Sequence, residues 1–138
     1  MKKIDELPKT WEEFCSNNPI VEGEAYINMK SRIEVYETDI HRDPNEDKYI
    51  LPSEEAAKAH LAYMQLHRLR DKWRQGWKPF SNGKELFFTI SRGANNYHKL
   101  VVVSTFYYDR FLSFPTNDLA EYFLYTYRDL IEQAGDLI

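Results

Sequence analysis

One cysteine, five glycines and no apolar run of membrane-spanning length set the first limits on this chain. Cys15 has no partner for an intrachain disulfide or a paired-cysteine zinc site, and a reducing compartment suits it. So few glycines leave little of the backbone from which phosphate-cradling loops are built. No stretch approaches the ~20 apolar residues of a membrane span. Lys2 and Lys3 resemble the start of a secretory leader, but Asp5, Glu6, Pro8 and Lys9 interrupt any apolar core behind them. A cytoplasmic protein without membrane association is the expectation. Gly-x-Ser-x-Gly, the Gly-rich phosphate loop and His-Glu-x-x-His are all missing. His41 and His98 stand apart from other catalytic side chains, and Cys15 beside Phe14 reads as a half-buried inert thiol. Neither an enzyme nor a cofactor or metal site is expected.

What the chain does have is aromatic mass, with ten Tyr, eight Phe and three Trp in 138 residues, enough for a proper core in one domain spanning 1–138. The net charge of −4 conceals an uneven layout. Residues 1–57 hold 7 Lys/Arg against 14 Asp/Glu, residues 58–110 hold 10 against 3, and residues 111–138 hold 1 against 5. A basic middle between acidic ends suits nucleic acid. It suits equally well a fold, or a homodimer, in which the segments neutralise each other. The second is preferred, because the acidic total repels a polyanion at long range.

The stretch Ser53–Trp77 organises the rest. Ser53 reads as an N-cap, Glu54 and Glu55 follow where the helix dipole favours negative charge, and Gly76 ends the run. Ala62, Leu66, Leu69 and Trp73 share one face, and Ala57, Leu61 and Met64 a second, so this helix should bury a broad side. The opposite stripe is His60, Tyr63, His67, Arg70 and Arg74, spaced 3, 4, 3 and 4. A solvated face explains it most simply. The sharper reading is an anion-binding ridge for phosphate or an acidic partner. His60 and His67 lie about 10 Å apart along the axis, too far to share one metal ion. Further cations and aromatics continue the theme at Trp77, Lys78, Lys84, Arg92 and Lys99, interleaved with Trp73, Tyr97 and Tyr107. Exposed, they would suit single-strand stacking; filling the core is the plainer use, and no RNA-recognition or helix-turn-helix pattern accompanies them.

Around this helix the chain reads in order. Thr10-Trp11-Glu12-Glu13 fits a capping box for a short helix ending near Ser16, with Trp11, Phe14 and Cys15 inward. Glu24–Asn28 and Ser31–Glu37 read as a hairpin, with Ile33 and Val35 alternating against Glu34 and Tyr36 as buried and wet faces. Asp43 to Glu54 partly matches a calcium loop, with oxygen ligands at positions 1, 3 and 5 and Glu54 at position 12. Lys48 occupies the position that needs glycine, and Pro44 and Pro52 intrude, so a solvated loop is the simpler account. Glu85–Arg92, Tyr97–Tyr107 and Phe111–Phe114 read as three strands, the middle one a central strand covered on both faces. Thr116 caps a last helix whose Ala120, Phe123, Leu124, Tyr127, Leu130, Ile131, Ala134 and Ile138 face inward, with a weak Arg128–Glu132 pair outside.

Leu51-Pro52-Ser53, the run Leu61–Pro79 with Arg-Leu-Arg-Asp-Lys-Trp and Gly-Trp-Lys-Pro, and Leu112-Ser113-Phe114-Pro115-Thr116 onward to Ile138 carry a resemblance. They are similar to uncharacterised small proteins of gut Bacteroides genomes and their phages or mobile elements. The resemblance implies a bacterial or phage cytoplasmic setting and transfers no activity or site residue. The expected fold is α+β: an antiparallel sheet of about five strands, two main helices packed on one face, and a short N-terminal helix. The expected function is a non-enzymatic accessory or protein-interaction role, with a protein partner that includes a second copy of the chain. The alternative is a nucleic-acid-binding module using residues 58–110.

Overall fold

Three side-chain oxygens start the three helices. Thr10 accepts from the Glu13 amide at 3.0 Å, Ser53 from the Ala56 amide at 3.0 Å and Thr116 from the Leu119 amide at 3.2 Å, each removing one orphan donor of a first turn. In the computed structural model, which describes residues 4–79, 83–93, 99–106 and 110–138, these helices are α1 (Trp11–Asn17), α2 (Glu54–Arg74) and α3 (Asn117–Ala134). Five short strands accompany them: β1 (Ala25–Ile27), β2 (Ile33–Val35), β3 (Phe87–Arg92), β4 (Leu100–Thr105) and β5 (Ser113–Phe114). The protein is therefore α+β, but the strands do not form one sheet. β1 and β2 make a two-stranded antiparallel sheet, and β4-β3-β5 a separate three-stranded one. The chain falls into two compact units, Met1–Lys58 and Ala59–Ile138, and each sheet belongs to one of them. No helix among the described residues is long and apolar enough to cross a membrane.

The first unit is small and leans on polar staples. The β1–β2 hairpin pairs Ala25 with Val35 and Ile27 with Ile33. Asn28 closes the turn by accepting from the Lys30 and Arg32 amides, while Ser31 takes the left-handed φ of 61°. Isolated bridges Ile20–Ile40 and Ala25–Leu51 tie the flanking chain to it. The expected alternation holds at Ile33, half-buried, and Glu34, exposed, but is reversed just after them: Val35 is exposed, while Tyr36 is half-buried beside Tyr26, with ring centroids 5.5 Å apart. Aromatic packing of the larger ring outweighs the alternation. At the centre of this unit Arg42, 3% exposed, is paired with Glu24 at 2.7 Å; its Nε donates to the Asn18 carbonyl, and its guanidinium lies 5.1 Å from the Phe14 ring. In the loop resembling a calcium site, Asp43 accepts from the Asn45 and Glu46 amides, and Asp47 accepts from the Asp43 amide. Both carboxylates serve the turn itself.

The second unit carries the larger core. Antiparallel register puts Ile90 opposite Val102 and Phe88 opposite Phe114, so Phe88, Ile90, Leu100, Val102 and Phe114 share one face. Against it gather Ala120, Phe123, Leu124, Ile131 and Ala134 of α3, together with Ala62 and Leu66 of α2. Trp73 joins the two helices, its ring 5.1 Å from Phe123 and 5.6 Å from Tyr127. β3, with a partner on each side, is the central strand; β4 is an edge, which leaves Val103 41% exposed and reverses the sequence expectation for 97–107. Met64, expected inward on α2, is likewise exposed. α3 bends at Tyr127 (φ −115°, ψ 25°), one residue after Thr126 donates its hydroxyl to the Tyr122 carbonyl at 2.7 Å, a back-bond that bends helices. Glu132 turns toward Arg92, 3.3 Å away, rather than toward Arg128.

Candidate functional site

The stripe predicted on α2 is real as a stripe and is only partly solvated. Its C-terminal half is covered: Arg74 is 9% exposed, and the Arg70 side chain is 16% exposed. What covers it is the turn that leads into β5. Arg74 donates from Nε to the Ser113 carbonyl at 2.8 Å and from Nη2 to the Phe111 carbonyl at 3.2 Å. Arg70 donates from Nη1 to that same Phe111 carbonyl at 3.2 Å. Two guanidiniums thus saturate carbonyls that a two-residue strand cannot satisfy alone. Ser113 completes the turn locally, its hydroxyl donating to the Arg110 carbonyl at 2.7 Å.

The Phe111 ring is seated on the same stripe. Tyr63 stacks on it at 4.2 Å between centroids, the Arg70 guanidinium lies 4.7 Å from its centre, and His67 meets it at 5.8 Å with the rings steeply inclined. Tyr63 and Arg70 are seven residues apart on α2, about 10.5 Å along the axis, so the Phe111 ring is met from two successive turns of the stripe with His67 between them. His60, at the N-terminal end of the stripe, is half-buried and lies outside this cluster.

Beside this clamp, where α2 gives way to Gln75 and Gly76, both with positive φ, the chain folds back along an open concavity of about 680 Å³. Arg70, Asp71, Arg74, Gly76, Trp77, Lys78, Pro79, Arg110 and Phe111 line it. That volume is within the range of small-molecule sites. Its charge is one-sided among the described residues, with four cations and a single carboxylate. Asp71 is engaged by Arg70, which donates to Oδ1 from Nε at 2.9 Å and from Nη2 at 2.7 Å, while His67 Nε2 lies 3.5 Å from Oδ2. The bonds from Arg70 hold the Asp71 carboxyl below the usual carboxylate range, so it is ionised at neutral pH. The Arg74 guanidinium lies 5.4 Å from the Trp77 ring, and Phe87 is tilted against Trp77 at 6.3 Å. Lys78 and Arg110 are exposed, and neither forms a salt bridge among the described residues.

The structure therefore gathers Arg70, Arg74, Trp77 and Lys78 from the candidates named in the sequence and adds Arg110, Phe111 and Asp71. It does not gather the others. Lys84 and Lys99 are exposed elsewhere, Arg92 pairs with Glu132, and none of the three lines the concavity. Tyr97 and Tyr107 lie outside the described residues. Arg110 escaped the sequence reading because no helical or strand period links residue 110 to residue 70. Only the turn into β5 brings them together. Family models, curated proteins and solved structures were compared with the chain, and none matches.

Proposed function

We propose that this protein is a non-enzymatic binding module that takes a phosphate-bearing anion in the concavity between the end of α2 and the turn at Arg110–Phe111. The observation that supports the reading is convergence: Arg70, Arg74, Lys78 and Arg110 line one 680 Å³ space in which Asp71 is the sole acid among the described residues. Guanidinium groups fixed by buried hydrogen bonds are preorganised donors, and they supply from side chains what a glycine-poor chain lacks in backbone cradles. The reading narrows the nucleic-acid alternative. An extended strand needs cations spread along a track, and Lys84, Arg92 and Lys99 do not continue the concavity into one. A protein partner or homodimer rests on charge layout alone, and a setting in a phage or mobile element on the resemblance alone, so the concavity takes precedence over both.

The experiment is fluorescence anisotropy of a labelled nucleoside triphosphate, alongside a labelled single strand and a labelled duplex, at low and moderate salt. Binding of the triphosphate that weakens with salt and is lost in Lys78→Glu/Arg110→Glu is the expected result. Failure of the triphosphate to bind at low salt would overturn the proposal. So would binding of a long strand or duplex with no measurable competition by the triphosphate.

A further inference from the structure

Resting on that reading, we infer that the concavity is a site for a short oligophosphate chain, a di- or triphosphate, whose charge it reads without reading an attached base. Charge matching carries the first half. Among the described residues, four cations against one carboxylate leave three positive charges, all lining one open concavity. A phosphate monoester brings only about 1.5 to 2 negative charges at pH 7. It would leave part of that field unanswered and most of the 680 Å³ empty. A diphosphate or triphosphate fills both deficits with one flexible chain that can reach Lys78 and Arg110 together.

Ring geometry carries the second half. Stacking of a nucleotide base on the site would need an open aromatic face on which the base can lie. Among the described residues two rings line the concavity, Trp77 and Phe111. Phe111 already has Tyr63 stacked on it at 4.2 Å and Arg70 over its ring at 4.7 Å. Trp77 carries Arg74 over its ring at 5.4 Å and is packed against Phe87. These aromatics orient the guanidiniums through cation–π contact; they are positioning elements for the cations. Within the site Arg70 and Arg74 are held by the turn's carbonyls, whereas Lys78 and Arg110, exposed at the mouth, make the direct contacts that discriminate chain length.

The test is calorimetric titration of the full chain with inorganic phosphate, pyrophosphate, tripolyphosphate, ATP and CTP at low salt. Affinity should rise along the three inorganic anions by about tenfold or more, with ATP and CTP within about threefold of tripolyphosphate. Lys78→Ala and Arg110→Ala should each weaken tripolyphosphate by about tenfold while leaving the melting temperature unchanged. If phosphate binds as tightly as tripolyphosphate, or ATP binds far more tightly than CTP and tripolyphosphate, the inference is overturned and the phosphate-binding reading stands. If none of the five binds, both fall. Tripolyphosphate binding that ignores Lys78→Ala and Arg110→Ala removes the site from this concavity.

Discussion

Arg74 reaches 39 residues along the chain to donate its Nε–H to the Ser113 carbonyl at 2.8 Å. This bond joins the end of α2 to the two-residue strand β5, and Arg70 and Arg74 together hold the Phe111 carbonyl beside it. A strand of two residues has too little ladder to fix itself. Its place is set by side chains from a helix.

Replacing Arg74 by Leu should therefore destabilise the protein by about 2–3 kcal/mol, since it leaves a buried carbonyl without its charged donor. Arg74→Lys should recover less than half of this, because an ammonium cannot span both carbonyls from one planar fork. Urea unfolding with an unchanged m-value is the measurement. A loss below about 0.5 kcal/mol for Arg74→Leu, the size of an ordinary surface change, would show that the turn holds without it.

A second buried guanidinium makes the opposite use of its charge. Arg42, with its side chain 2% exposed, is bonded to both Glu24 oxygens, at 2.7 and 2.8 Å. Glu24→Ala strands that charge and should cost about 3–5 kcal/mol. The double change Glu24→Leu/Arg42→Met removes both charges and should be far milder than the single one, because packed apolar groups replace a pair whose desolvation consumed most of its Coulomb energy. Thermal melting of the three proteins distinguishes the cases; equal losses in single and double variants would mean that losing Arg42's bonds to the Asn18 and Pro19 carbonyls costs the double variant as much as the stranded charge costs the single one.

How much of this was legible in the residues follows their range of action. The caps Thr10, Ser53 and Thr116 were readable because capping is settled within four residues. Helix and strand identities came from periodicity, which is equally local. The division into two sheets was not readable: nothing local in Ala25–Ile27 says whether it will pair with Ile33–Val35 alone or join β3. β4 looked central because Val101, Val102 and Val103 are apolar in succession, yet sheet order depends on β5 returning beside β3. The stripe on α2 was visible by spacing, but the burial of Arg74 was not, since its cover comes from Phe111 and Ser113.

Tyr36 offers a pH test of the first unit. Burial, then a hydrogen bond with Tyr49, raises its phenol from 10.0 to about 12. The folded state thus holds a proton that the unfolded chain releases, so this contribution is intact below pH 10 and is lost as pH rises from about 10 to about 12. Spectrophotometric titration should show one phenol ionising well after the ordinary ones, and Tyr36→Phe should delete that late step. Persistence of the late step in Tyr36→Phe would assign it to another tyrosine.

Asp71 is the internal competitor for the proposed ligand. It holds two Arg70 donors and contributes the sole negative charge to the lining among the described residues. Its side chain is 56% exposed, so its pair with Arg70 contributes no more than about 1 kcal/mol to stability. Asp71→Asn keeps the shape, removes the charge and releases Arg70 for an incoming anion. Tripolyphosphate affinity should then rise roughly three- to tenfold at low salt, from loss of like-charge repulsion a few ångströms away, and the gain should shrink as salt screens it. The melting temperature should move little. An Asp71→Asn protein that binds tripolyphosphate no better than the parent would mean that Arg70 is not available to the ligand, and that Lys78 and Arg110 act without it.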